Sequence, residues 1–212
     1  MVMTRDPERK RRLFEFHSEQ DMVLQAPLVI TFCADWFRTR QWLASRGARD
    51  NFNNLVGYQV GAYDAMILAQ NVSLGFEARG YGICYMGTTL FELEPIADFL
   101  ELPDTVLPVT TIVAGVPDED PPKRDRLPTS AFIHEERYHQ PAPAELDAIY
   151  KEREVRGWAR YMASPELKAL TEQLGITTLA QFYTSTAKYD PDEFKIFSER
   201  ILRAMERRSF FP

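Results

Sequence analysis

Gly80-Tyr-Gly-Ile-Cys-Tyr-Met-Gly-Thr-Thr-Leu90 is the stretch on which the reading of this chain turns. Upstream, residues 55–76 are apolar around most of a helical circumference. Leu55, Tyr58, Ala62, Ala65, Met66, Ala69, Val72, Leu74 and Phe76 are broken only by Gln59, Asp64, Gln70, Asn71 and Ser73. A helix of that kind belongs in an interior or against a second subunit. Gly80 and Gly82 end it, and residues 81–86 predict a strand that stops at Gly87. Downstream, the apolar run 107–114 predicts another buried strand, and a Pro-rich loop then carries Lys123, Arg124 and Arg126. A residue without a Cβ lets a flat ligand lie against the main chain, and guanidinium groups grip an anionic tail. The succession of helix, strand, glycine, strand and arginines predicts a site for a flat, phosphorylated ligand.

Working outward, residues 1–4 alternate as a strand. Asp6-Pro7-Glu8 then opens a helix to about His17, with Asp6 as N-cap and Pro7 at the first position. Residues 28–34 (Leu-Val-Ile-Thr-Phe-Cys-Ala) read as a central strand. Asp35 introduces a helix over 36–45, and the polar residues 46–53 form a surface loop. A short helix over 93–100 precedes the strand at 107–114. Residues 117–143 form an extended loop, followed by helices over 144–162, 165–173, 178–183 and 191–207 and the ending Phe210-Phe211. Strands and helices mix without strict alternation, which predicts an α+β fold instead of a doubly wound sheet. The expected organisation is a core over 1–128 and a helical C-terminal extension over 129–212, within one domain. A chain that opens on a strand with no lead-in reads as the middle of a domain.

Composition narrows the function classes. With 212 residues the chain can bury a substantial core, and 45% hydrophobic with 12% aromatic residues exclude a disordered protein. A net charge of −6 disfavours nucleic acid as a partner. The basic run Arg9-Lys10-Arg11-Arg12 reads as a solvated helix face, with Glu8 and Glu15 in helical reach. Two cysteines, Cys33 and Cys84, both inside strand-like runs, make no disulfide framework. No apolar stretch approaches the roughly 20 residues that span a bilayer, so no membrane is expected and the cytoplasm is the expected location. His134 and His139 stand five apart in a Pro-rich loop, the wrong spacing for a helical zinc pair, and no metal is expected. His17 stands alone at a helix end with no partner to name. No nucleophile sits beside a base, so the expected site is a list of binding residues without a catalytic one.

The segments Leu68-Ala-Gln-Asn71, Gly80 to Gly87, Leu102-Pro103, Leu107-Pro-Val109, Gly115-Val-Pro117 and Arg124-Asp-Arg-Leu-Pro128 follow one another in a telling order. In that order the chain resembles the flavin-dependent nitroreductase superfamily, most of all its oxygen-insensitive nitroreductase and flavin reductase branch. Residues 26–35 and 133–138 fit the same branch. The resemblance implies an α+β fold with a mixed sheet flanked by helices, built as an intertwined homodimer. A tail wrapping the partner would bury Phe210-Phe211. It further implies FMN as cofactor, NAD(P)H as co-substrate, and ping-pong hydride transfer to a nitroaromatic, a quinone or free flavin. Met86, Gly87 and Thr88 match the glycine turn against the flavin ring, Arg124 and Arg126 match a basic pair at the flavin phosphate, and Gln20 matches a glutamine near the ring. Arg153, Arg156 and Arg160 read first as a solvated helix face, and the resemblance makes them candidates for the extra phosphate of NADPH.

Two departures qualify the match. Thr88 stands where the family has a second glycine, and the family's N-terminal Arg-Ser-x-Arg segment, which holds the phosphate, has no counterpart in residues 1–20. Two lost charge-assisted contacts at about 1.5–3 kcal/mol each cost roughly two to four decades of affinity. The rival expectation is therefore a flavin-free homodimeric binding or structural protein of the same fold. A flavoprotein with a different reaction, such as dehalogenation or ring reduction, is the third.

Overall fold

Asp6 caps the first helix as its position predicts: its carboxylate accepts the Arg9 N–H at 2.8 Å and Pro7 occupies the first turn. The computed structural model describes residues 1–211. In chain order its first half holds β1 (Val2–Thr4), α1 (Pro7–Phe16), α2 (Met22–Gln25), β2 (Leu28–Asp35), α3 (Phe37–Ser45), α4 (Leu55–Glu77) and β3 (Gly82–Met86). After β3 come a single 3-10 turn (Gly87–Leu90), α5 (Leu93–Phe99) and β4 (Val106–Gly115). The second half is helical: α6 (Pro143–Met162), α7 (Pro165–Gln173), α8 (Leu179–Tyr183) and α9 (Pro191–Arg207). The chain forms two compact units, one from Met1–Glu119 with the end of the chain from Ile196, the other from Asp120–Lys195.

The first unit is an α+β sandwich around a four-stranded sheet in the order β1-β2-β4-β3. A mixed sheet is the expectation, yet every pairing is antiparallel. The reason is topological: β2 and β3 run parallel to each other, but β4 slots between them and hydrogen-bonds to both. The register of β2 and β4 slips between Phe32 and Cys33, where Pro108 lies opposite Cys33. A proline in a central strand lacks the N–H the ladder needs, so it is tolerated at such an irregularity.

Alternation along the strands sends side chains to two cores. Ile30, Phe32 and Ile112 meet Ala65 and Ala69 of α4 on one face. Val29, Met86 and Val113 meet Leu13 and Val23 on the other. Beside the latter, Leu93, Ile96, Ala97 and Leu107 enclose Ala204, Met205 and Phe210. Phe210 is fully buried in this core and lies edge-on to Tyr58, with ring centroids 5.3 Å apart. Arg208, itself buried, bonds Asp98 and the Leu102 carbonyl. Phe210 is thus enclosed within its own chain, without any partner.

Helix α4 turns small residues inward. Gly57, Gly61, Ala65, Ala69 and Ser73 are its buried positions, while Val56, Tyr63 and Ile67 are each more than 60% exposed. A Cβ on Gly57 would lie 2.3 Å from the Phe52 carbonyl oxygen, and one on Gly61 would lie 3.1 Å from the Ala34 Cβ. These glycines let the helix approach its neighbours closely. Among the described residues no helix is long and apolar enough to cross a membrane.

The second unit is held by α6, α7 and α8. Phe182 is fully buried and lies 4.5 Å, centroid to centroid, from the Tyr161 ring. Ser164 and Thr178 cap the helices that follow them, and the Glu154 carboxylate accepts the first N–H of α8.

Candidate functional site

The end of β3 is pinned from below and bare above. Met86 is 1% exposed, its side chain set among Leu13, Val23 and Val29, and its carbonyl accepts the Thr89 hydroxyl at 2.8 Å. Met86 therefore anchors the turn through the core, not by presenting a side chain to a ligand. Thr89 is fully buried. Between these anchors Gly87 is exposed, and a Cβ built on it meets nothing within 4 Å. Its φ lies outside the left-handed region, so the residue is needed here for a clear approach, not for an unusual backbone. An exposed stretch of main chain on a fixed turn is what a planar group needs to lie against.

Thr88 departs from the glycine expected of this turn, and its side chain has a partner. Its Oγ1 lies 2.9 Å from His17 Nδ1. His17 sits at the C-cap of α1, where its N–H bonds back to the carbonyls of Leu13 and Phe14. It is fully buried. Burial disfavours the imidazolium and lowers its pKa to about 4. Gln20 follows one turn later and is half-buried; its N–H bonds the His17 carbonyl at 3.3 Å. The structure thus ties both Gln20 and the Gly87-Thr88 turn to one histidine, the first through its carbonyl and the second through its ring. Sequence reasoning passes over His17 because its partner lies 71 residues away.

Arg124 and Arg126 belong to the second unit. There they line a cavity of about 1000 Å³ together with Arg153 and Arg160. Its aromatic wall includes Tyr161, Tyr183, Tyr189 and Phe194. Arg126 is braced by bonds from its Nη1 to the carbonyls of Asp125 (3.1 Å) and Arg124 (3.4 Å). Arg160 lies over the Tyr161 ring, 5.3 Å from its centroid. Arg156 points to Glu152 instead, as an exposed i,i+4 ion pair. Four guanidinium groups beside aromatic rings suit a ligand that carries both phosphate and a flat heterocycle.

Other reactive groups are less engaged. The Cys33 thiol is pushed up to about 11, chiefly by burial, which leaves it protonated and a poor nucleophile. His139 pairs with Glu145, whose carboxyl is held below its ordinary value first by the Ala142 N–H and then by His139. Among the described residues no group of three or more His, Cys, Asp or Glu side chains is arranged to hold a metal ion.

Residues 2–116 match the model of the nitroreductase family. An FMN reductase (NADPH) of Bacillus subtilis is 35% identical over 136 residues, which are 63% of this chain and 55% of that protein. The chain thus spans little more than half the length of this relative. A second B. subtilis protein, an FMN reductase [NAD(P)H], is 29% identical over 199 residues, 82% of this chain and 79% of its own. Among solved structures, a Bacteroides fragilis protein assigned as an oxidoreductase superposes with a TM-score of 0.88 at 36% identity, over all of this chain and 82% of its own. The NfrA1 nitroreductase of B. subtilis superposes with a TM-score of 0.77 at 25% identity, over 96% of this chain and 80% of its own. The chain belongs to the nitroreductase family.

Proposed function

We propose that this protein is an FMN-dependent NAD(P)H oxidoreductase that acts as a homodimer on small acceptors such as nitroaromatics, quinones or free flavin. The observation that carries the reading is the bare main chain at Gly87, preceded by the buried Met86 and followed by the hydrogen-bonded Thr88 and Thr89, with open space above it. Relatives named as FMN reductases support the choice of cofactor.

In this reading the ring rests against Gly87 beside Thr88 and Gln20; Arg124 and Arg126, in the second unit, are the candidate donors to a phosphate. Two features, each taken by itself, suit parts of FMN: an unobstructed backbone surface at Gly87 suits a flat ring, and the guanidinium groups of the second unit suit an anion. When bound, FMN supplies the two-electron chemistry between nicotinamide and acceptor. The protein's own part is to orient the ring and to place donors and positive charge beside it. No side chain need act as acid or base. Arg153 and Arg160, on the same cavity as Arg124 and Arg126, are assigned to a second phosphorylated ligand, the nicotinamide nucleotide. Arg156, paired with Glu152, is left out of that role.

The test is direct. Purified protein titrated with FMN should quench the flavin's fluorescence, and the loaded protein should oxidise NADPH or NADH when a quinone or nitroaromatic is present. Protein that neither quenches FMN nor gains thermal stability from it supports the rival reading, a flavin-free binding module. Protein that binds FMN without turning over these acceptors points to another flavin reaction on the same fold.

A further inference from the structure

His17 is fully buried, yet one of its two ring nitrogens has no partner: Nδ1 meets Thr88 Oγ1 at 2.9 Å, while Nε2 is buried without a hydrogen bond. The ring stays neutral, because burial disfavours the imidazolium. A neutral imidazole carries one proton, and its position matters here. With the proton on Nε2, a buried N–H would be orphaned. With it on Nδ1, only a lone pair goes unused, and orphaned buried N–H groups are the rarer and costlier defect. Nδ1–H therefore donates to Thr88 Oγ1, and the threonine keeps its own hydroxyl proton.

The same residue also holds a second segment. Ser18 and Glu19 follow it with φ of 54° and 53°, two consecutive non-glycine residues in the left-handed region. Such backbone persists where its surroundings hold it in place. The Gln20 N–H closes this turn onto the His17 carbonyl, and the His17 N–H closes α1.

We infer that His17 is a positioning residue: it locks Thr88 beside Gly87 so that the threonine hydroxyl donates to an acceptor on the edge of the flat ligand bound there. Thr88, in place of the turn's second glycine, thereby supplies a donor that a glycine lacks. The inference rests on the flavin reading above and deepens it, since the acceptor is a carbonyl or ring nitrogen of FMN.

The experiment measures FMN dissociation constants by fluorescence quenching for the wild type and five variants: His17→Phe, His17→Asn, Thr88→Val, Thr88→Ser and the double His17→Phe/Thr88→Val. Thermal melts of the ligand-free proteins accompany them. His17→Phe and Thr88→Val should each weaken FMN about tenfold, one hydrogen bond's worth. The double variant should be no weaker than either single. His17→Asn keeps a donor near the Nδ1 position and Thr88→Ser keeps the hydroxyl, so binding should recover in both. Losses that multiply in the double variant, or His17→Asn no better than His17→Phe, overturn the positioning role. Should His17→Phe fail to melt cooperatively, the Thr88 pair decides: equal affinity for Thr88→Val and Thr88→Ser overturns the inference. A wild type that leaves FMN unquenched overturns the flavin reading and this role with it, whereas a binding wild type with uncoupled variants overturns only the role of His17.

Discussion

Burying an imidazole without a charged partner makes the fold sensitive to acid. In the unfolded chain His17 has its ordinary pKa of 6.5, and in the folded protein the value is about 4. Between those two pH values the unfolded chain binds the extra proton, so protonation pulls the equilibrium toward unfolding. The contribution of His17 to stability is therefore whole above pH 6.5. It falls by about 1.4 kcal/mol per pH unit below that and levels off near pH 4, a total of roughly 3 kcal/mol. Urea unfolding at a series of pH values should show this slope in the wild type and lose it in His17→Phe. Parallel pH curves for the two proteins would contradict the burial assigned to this ring.

At the scale of elements, α4 makes opposite predictions for two of its glycines. A methyl on Gly57 would press on the Phe52 carbonyl oxygen at 2.3 Å, whereas one on Gly75 finds only the Arg79 guanidinium at 3.8 Å. Gly57→Ala should therefore destabilise the protein by about 1–3 kcal/mol through forced backbone movement. Gly75→Ala should stabilise it by up to about 1 kcal/mol through helix propensity. Urea midpoints check both, and equal effects at the two positions would contradict the close approach at Gly57. Several element boundaries were legible because their signals are local: Asp6-Pro7, Ser164-Pro165 and the Thr178–Gln181 capping box each mark a helix start within four residues. Helix α2 escaped notice because Met22–Gln25 is a single turn without a side-chain cap. Apolar runs marked β2 and β4 as buried, but not that β4 separates β2 from β3, because neighbour choice depends on how the loops return. The stripe of Gly57, Gly61, Ala65, Ala69 and Ser73 that meets the sheet went unread, because larger apolar residues surround it and the helix reads as apolar nearly all round. At the candidate site, Gly87 was readable from its place at the end of a strand, while the bond from His17 to Thr88 leaves no mark in either local sequence.

For the whole molecule, the outer face of α4 is the feature that asks for a partner. Val56 is 67% exposed, and Tyr63 and Ile67 are each 61% exposed. Contiguous apolar surface of this kind marks association sites on soluble proteins. We expect a homodimer built on α4, with Phe210 already occupied inside its own core. Light scattering should report twice the chain mass of 24.5 kDa, and Ile67→Glu should shift the protein to the monomer. A wild type that is monomeric at micromolar concentration would contradict this assembly.

The proposed cofactor site depends most on the open main chain at Gly87, and one substitution separates its role in binding from its role in folding. Gly87→Leu adds a side chain where a Cβ meets nothing within 4 Å, so the ligand-free protein should keep its stability to within about 0.5 kcal/mol. The added side chain fills the surface assigned to the ring, so FMN affinity, read by fluorescence quenching, should fall by at least about a hundredfold. A stable Gly87→Leu protein that binds FMN as tightly as the wild type would contradict the placement of the cofactor.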